Sequence, residues 1–430
     1  MSSCGDTTDK EMRYVPSCLK ALLIITGILI VIGCLNIYSS TFYMNIHSGG
    51  NAYSHIFNHL RLLFLGVAIA LCMNKFSGSF VREKVTFGFI LTMILLLIVM
   101  VAGRTVNGAT RWIPLGSFSF QPSEMAKVTA LLWTSYYLGK QIDGGEKISV
   151  FRRFFGLFGY YCGNKRRNYS LGATLKYFRP LWAPLFMAVF VLKQPDMGTA
   201  GMIVIFPAIL YILAGLPVIE ILSGFIFAAL IGFILIIIEP YRLDRLIVLW
   251  DPFSYSRDLG YQTVQSLIAV GSGGILGQGP AEGMSKFLYL PEQYTDFAYA
   301  VWSQEFGFLG AVIVLFLYLG FMYFGFSCAR MLKHHHESLL VYGLTMLISV
   351  QGIINIAMVV GCFPVTGIPL PFISYGGSSL IMNIISVGVI WEATQSSLAR
   401  SDKEERKRRI DAMSGRIPSY SKISGSRFRK

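Results

Sequence analysis

The sequence predicts an all-α, polytopic integral membrane bundle of about ten transmembrane helices, with a large external loop between the seventh and eighth. Three observations predict it. Of 430 residues, 54% are hydrophobic and only 14% charged, a balance outside that of soluble domains. Apolar runs of roughly 17–25 residues recur along the chain, each long enough to cross a hydrocarbon core. No alternation of apolar and polar positions marks a barrel, so backbone in lipid must satisfy itself within helices.

In chain order the apolar runs lie near 19–38, 56–73, 85–102, 122–138, 181–193 with its flanks, 197–214, 216–238, 297–327, 339–362 and 376–398. Polar residues precede the first run and no small-residue cleavage site follows it, so it reads as a retained helix. Residues 1–400 form the transmembrane domain and 401–430 a basic tail. Bases crowd the N-terminal arm (Lys10, Arg13, Lys20), the second connection (Lys75, Arg82, Lys84) and the connection 139–180, which holds Lys140, Lys147, Arg152, Arg153, Lys165, Arg166, Arg167, Lys176 and Arg179. The positive-inside rule then puts both termini and the loop 139–180 in the cytoplasm. It leaves 103–121, 239–296 and 361–375 outside. The net charge of +14 is thus an orientation signal, and nucleic-acid binding is not expected.

Seven cysteines without CxxC or CxxxC spacing support neither a disulfide framework nor a zinc site. His334, His335 and His336 are adjacent, cannot share a helix face, and read as a loop rather than a metal site. The glycine-rich stretch 271–279 lacks the lysine of a phosphate-binding loop and reads as a segment that packs close to the bundle.

Ionisable groups in or beside apolar spans are the functional candidates. Asp296, in Pro291-Glu292-Gln293-Tyr294-Thr295-Asp296-Phe297, closes a long polar excursion just before an apolar run. Glu124 and Lys127, three apart after Gln121-Pro122, share a helix face; they read equally as a structural pair or as a lining of a polar cavity. Asp196, in Gln194-Pro195-Asp196, interrupts a long apolar stretch, with Lys193, Lys127 or an external arginine as its expected partner. Arg104 and Arg111 are external and suited to gripping phosphate, while Trp112 reads as an interfacial anchor. The segment from Pro364 to Ser379 is proline- and glycine-rich. Its Ser374, Ser378 and Ser379 read first as packing residues and second as hydrogen-bonding partners of a substrate; without a paired histidine they are poor nucleophiles.

Five ordered segments resemble the SEDS family of membrane glycosyltransferases, which includes RodA, FtsW and their sporulation relatives. They are Arg111-Trp112-Ile113-Pro114-Leu115-Gly116, Gln121-Pro122-Ser123-Glu124, Gln194 through Thr199, Pro291 through Phe297, and Pro369 through Ser379. Val365-Thr366-Gly367-Ile368-Pro369 looks more like RodA than FtsW. The resemblance implies polymerisation of lipid II into glycan strands on the outer face of the bacterial cytoplasmic membrane, for elongation or division. It implies that Asp296 is the essential carboxylate and that Glu124, Lys127 and Asp196 line its cavity. It also implies a class B penicillin-binding protein transpeptidase and the elongation or division machinery as partners. The chain departs from the pattern at Tyr294, where relatives often have histidine, and at Ala298-Tyr299.

Lipid II carries its sugar through an α-linked diphosphate and the product linkage is β, so one inverting displacement is sufficient. Asp296 would take the acceptor's proton. Lys127, Arg104, Arg111 or a divalent cation (Mg2+ or Mn2+) would meet the departing diphosphate, with Glu124 and Asp196 positioning the cations. A flippase for the same lipid and a non-catalytic scaffold are the rival readings. The clustering of candidates on the outside favours the enzyme.

Overall fold

A computed structural model describes residues 15–47, 49–75, 84–106, 109–116, 118–161, 171–238, 240–258, 260–283 and 290–413. Several orientation residues (Lys10, Arg13, Arg82, Lys165, Arg166, Arg167) and the tail beyond 413 lie outside the described residues. Helices occupy Ser17–His47 (α1), Ser54–Lys75 (α2), Val85–Ala102 (α3), Pro122–Asp143 (α4), Val150–Tyr161 (α5), Leu171–Tyr177 (α6), Arg179–Leu192 (α7), Met197–Leu213 (α8), Val218–Ile238 (α9), Pro240–Trp250 (α10), Tyr261–Ser272 (α11), Ala298–Met331 (α12), His335–Val359 (α13) and Gly377–Met413 (α14).

Every apolar run read from the sequence is helical. Seven of these helices are long and apolar enough to cross a membrane, or eight if α6 and α7, bent by 67° at their junction, make one span. The expectation of ten is therefore met in helices but not in spans that pass on length and hydropathy. The shortfall has a physical cause. α4 is surrounded by α3, α7, α8 and α13, so it carries polar side chains that a lipid-facing helix could not, and α8 has 17 residues. By contrast α9 buries only Glu220 and leaves Phe225 74% exposed, as a helix bathed in lipid would.

The departures from the sequence reading follow from local chemistry. First, the connection after α3 is not helical or open. Arg104–Val106 (β1), Ala109–Leu115 (β2) and Phe118–Phe120 (β3) form a three-stranded antiparallel sheet in the order β1-β2-β3, built from β-branched and aromatic residues around a tight glycine turn at Gly116. Secondly, α14 continues past the end of its apolar run into the basic tail without a break. His334 caps α13, whose first turn holds His335 and His336, so that histidine run opens a helix rather than filling a loop.

Thirdly, α12 is broken at Gly307, which has φ 65° and ψ −165°. The glycine-rich stretch lies against this break. Gln278 and Gly279 donate their backbone N–H groups to the carbonyls of Gln304 and Glu305 at 3.0 and 3.1 Å, and Phe308 and Leu309 donate to Gly274 and Ile275 at 2.9 and 3.2 Å. Backbone groups released by the break are thus paired within the protein. The approach requires glycine: a Cβ at Gly277 would overlap the Glu305 carbonyl, and one at Gly307 would overlap the backbone N of Gly277.

The bundle has two chemically distinct ends. At one, Cys18 of α1 lies 3.7 Å from Met331, Gly139 of α4 abuts His336, and Arg400 of α14 pairs with Glu337. The other end gathers the starts of α4, α8 and α14 and the loops before α12 and α14.

A methyl group at Gly277, where φ is already +90°, should lower stability by roughly 2 kcal/mol or more. Gly27→Ala, in open space within a helix, should leave thermal unfolding in detergent unchanged. Equal melting of Gly277→Ala and wild type would show that the close approach is not required.

Candidate active site

Asp296 is set by its own turn. Glu292 adopts φ 52°, in the left-handed region that L-residues avoid, and its carbonyl accepts from Thr295 N and Phe297 N at 3.2 Å each. The Thr295 hydroxyl donates to Glu292 Oε2 at 2.7 Å. From α13, Asn355 Nδ2 donates to the carbonyls of both Asp296 and Ile368 at 2.8 Å. One amide group therefore ties the turn before α12 to the loop before α14. Two carbonyl partners also fix which way that amide faces. Gly367, at φ 71°, brings its backbone alongside the acid: a Cβ there would sit 3.5 Å from Asp296 Oδ2.

The Asp196 loop packs on the same segment, since Gly198 approaches the Thr366 carbonyl. Asp196 is buried and caps α8 by accepting from Thr199 N at 3.2 Å, while Gln121 Nε2 lies 3.4 Å from its other oxygen. Neither Lys193 nor Lys127 meets it. Arg111 of β2 instead holds the carbonyls of Gln194, at 3.1 Å, and Pro195, and so clamps the loop rather than the carboxylate. Asp196, Arg111, Glu292 and Arg245 of α10 are all close enough to Asp296 to act on its ionisation. Burial raises the Asp296 carboxyl pKa most; the negative charges of Glu292 and Asp196 add to this, Arg245 and Arg111 oppose it, and the result is pushed up to about 7. The side chain nevertheless keeps part of its surface open. It is a carboxylate held near its titration point at neutral pH and not fully enclosed by the protein.

Glu124 and Lys127 lie beneath, both buried, 2.9 Å apart. Lys127 also donates to Gln351 Oε1 at 2.9 Å, and Gln351 Nε2 donates to the Pro369 carbonyl at 2.9 Å. The pair therefore props the 364–376 loop through Gln351. Lys127 is already engaged, so its ammonium serves a support network rather than an open surface. The serines are engaged too. Ser374 Oγ accepts from Leu370 N at 2.9 Å, Ser378 Oγ accepts from Gln121 N at 2.8 Å and donates to the Ser119 carbonyl, and Ser379 Oγ accepts from Asn383 at 3.3 Å. They fold the loops and join α14 to the start of α4, which supports the packing reading over substrate contact. Arg104 is exposed on β1 opposite Trp112, outside this network. Among the described residues no three His, Cys, Asp or Glu side chains converge to hold a metal ion. The donor set thus offers no cage for Mg2+ or Mn2+ made by protein side chains alone.

The model of the cell cycle protein family that covers FtsW, RodA and SpoVE matches residues 20–398. The chain belongs to this family. A SEDS relative from Marinobacter nauticus, named probable peptidoglycan glycosyltransferase FtsW, is 33% identical over 392 residues, covering 90% of each chain. A structure titled as the coordination of polymerization and crosslinking by a peptidoglycan synthase complex superimposes with TM-score 0.66 at 24% identity, covering 87% of this chain and 97% of that one. The Thermus thermophilus rod shape determining protein RodA superimposes with TM-score 0.60 at 23% identity, over 87% of this chain and 96% of that one. Both structures share the SEDS fold. The relatives carry division and rod-shape names alike, so these likenesses do not separate the two branches.

Three site residues of this SEDS chain escaped the sequence reading: Gln351, Asn355 and Arg245. Gln351 and Asn355 are four apart on one face of α13, and two amides at that spacing inside an apolar run were the available signal. Arg245 sits on a short amphipathic helix, α10, within the 239–296 connection, one of several charges there that nothing in the sequence singles out. Tyr294, the departure from the family pattern, packs tilted and edge-on into a ring cluster with His55 of α2 and Tyr375, at centroid distances of 5.6 and 5.9 Å.

Removing Lys127 alone leaves a buried carboxylate without its cation, so Lys127→Met should lower stability by about 3 kcal/mol or more. The double variant Glu124→Gln/Lys127→Met should recover most of that loss in thermal unfolding. A single variant that melts like wild type would mean the pair does not hold the loop.

Proposed function

We propose that this protein is a peptidoglycan glycosyltransferase that polymerises lipid II, with Asp296 as the general base. The observation that carries the proposal is a largely buried but not fully enclosed carboxylate whose pKa burial has raised to about 7, flanked by arginines. The acceptor sugar's 4-hydroxyl loses its proton to Asp296 as it attacks the donor's anomeric carbon. The α-linked diphosphate departs from the opposite face and the new bond is β. The departing group gains negative charge, and Arg111 and Arg245 supply the fixed positive charge nearest to Asp296. Both guanidiniums are already oriented by carbonyls, of Gln194 and Pro195 for Arg111 and of Val365 for Arg245, so little reorganisation is needed. A divalent ion would be carried mainly by the diphosphate, because the described side chains form no cage for it.

The positive-inside rule assigns the basic end of the bundle, with both termini, to the cytoplasm and the Asp296 end to the outer face of the bacterial cytoplasmic membrane. A class B penicillin-binding protein transpeptidase is the proposed partner. One structural relative belongs to a peptidoglycan synthase complex that coordinates polymerization with crosslinking, which supports that pairing, for elongation or for division.

Purified protein given labelled lipid II, with and without a transpeptidase partner, should form glycan polymer. Asp296→Asn should reduce the rate by at least about a hundredfold; polymer formed at the wild-type rate would remove Asp296 as the base. The base must be ionised to act. Turnover should therefore fall about tenfold per pH unit below about 7 and level off above it. A profile flat from pH 5 to 8 would contradict the assignment.

A further inference from the structure

The end of the bundle remote from Asp296 carries a cleft of about 740 Å³ between the C-terminus of α4, the start of α5, α6 and the start of α7. Six bases line it, Lys140, Lys147, Arg152, Arg153, Lys176 and Arg179, against a single acid, Glu146. This imbalance is built in by the scaffold. Glu220 of α9 fixes the start of α5 by accepting from Val150 N at 2.6 Å and from the Ser149 hydroxyl. The Tyr177 hydroxyl accepts from Ser149 N at 2.8 Å and donates to the Lys147 carbonyl at 3.2 Å. Gln141 Nε2 donates to the Tyr177 carbonyl at 2.6 Å. The Arg153 guanidinium lies 4.8 Å from the Tyr177 ring centroid and that of Arg179 4.3 Å from the Tyr137 ring centroid. The Tyr137 face thus holds the Arg179 guanidinium with edges that can grip an oxyanion bidentately, while Arg153 also donates from Nη2 to the Ala173 carbonyl at 2.8 Å. No salt bridge joins Lys140, Lys147, Arg152, Lys176 or Arg179 to a carboxylate among the described residues.

The wall of the cleft says what kind of anion it takes. α5 is short and amphipathic, and its other face presents Phe154 and Phe155 at 61% and 66% exposure. A helix with bases on one side and bare aromatic rings on the other lies in a membrane interface. We propose that this cleft binds the phosphate headgroup of an anionic phospholipid, whose acyl chains lie along the phenylalanines of α5. A free phosphate would use the bases and leave the rings uncovered. The site is separate from Asp296 and stands independently of the glycosyltransferase reading.

The test uses full-length protein in vesicles of phosphatidylcholine mixed with phosphatidylglycerol, followed by native mass spectrometry of retained lipid. Wild type should retain phosphatidylglycerol over phosphatidylcholine. Each charge removed near an anionic surface is worth about fivefold, so Lys147→Gln/Arg152→Gln/Lys176→Gln/Arg179→Gln should lose at least about tenfold in retention. All four side chains are exposed; the single variants Arg152→Gln and Lys176→Gln, each expected to lose several-fold, carry the test if the combined form misfolds. The charge-matched tail variant Lys403→Gln/Arg406→Gln/Lys407→Gln/Arg409→Gln should retain lipid as wild type does. Unchanged retention in the cleft variants would overturn the proposal, as would equal loss in the tail variant, which would reduce the effect to diffuse charge. Displacement of the lipid from wild type by millimolar inorganic phosphate would assign the cleft to a free anion and also overturn it.

Discussion

Where a membrane-embedded chain leaves helical geometry, the freed N–H and C=O groups must find partners in the protein, because hydrocarbon offers none. This structure meets that demand with a few side chains that each serve several backbone groups. Asn355 holds the carbonyls of residues 296 and 368, Ser378 holds the backbone of residues 121 and 119, and Arg111 holds those of 194 and 195. Each is a staple between segments far apart in sequence. The irregular backbone around Asp296 exists only because these staples close it.

The same economy separates the roles of the ionisable groups. Glu124 and Lys127 satisfy one another inside the bundle, and a satisfied ion pair is inert scaffolding that transmits position through Gln351. Asp296 has no such direct ion-pair partner among the described residues; it feels acids and arginines at longer range, and the balance leaves its charge expensive but attainable. A carboxylate in that state can exchange a proton with a bound hydroxyl. The contrast between the paired and the poised acid is what makes one structural and the other chemically competent.

Much of this was legible in the sequence, and what was not shares a cause. Apolar runs located the helices because lipid imposes length and composition on each span. Proline, glycine and isolated charges located four segments that the fold does bring together: those of Arg111, Glu124, Asp196 and Asp296. The misses came from averaging and from local cues that only pairing resolves. Gln351 and Asn355 vanish in the hydropathy of α13. The sheet at 104–120 is short, and its strands declare themselves only by their register. Arg104 and Arg111 look equivalent as external arginines, yet β2 turns one onto the Gln194-Pro195 carbonyls while β1 leaves the other in the open. Ser374, Ser378 and Ser379 advertise hydroxyls, whose use in closing loops depends on partners as remote as Gln121.

The pairing of residues 274–279 with the break in α12 bears on how the molecule is assembled. Synthesis delivers the glycine-rich stretch before the helix that it pairs with, so it must wait at the membrane with open backbone groups until residues 304–309 arrive. Its glycines, free of bulky apolar side chains, suit a segment that stays hydrated during that interval. Closing the contact gathers the chain from 280 to 303, including Asp296, into a loop fastened at both ends. Maturation of the site is thereby a late event of biogenesis, reached only after α12 has been made and its break has closed on the glycine-rich stretch.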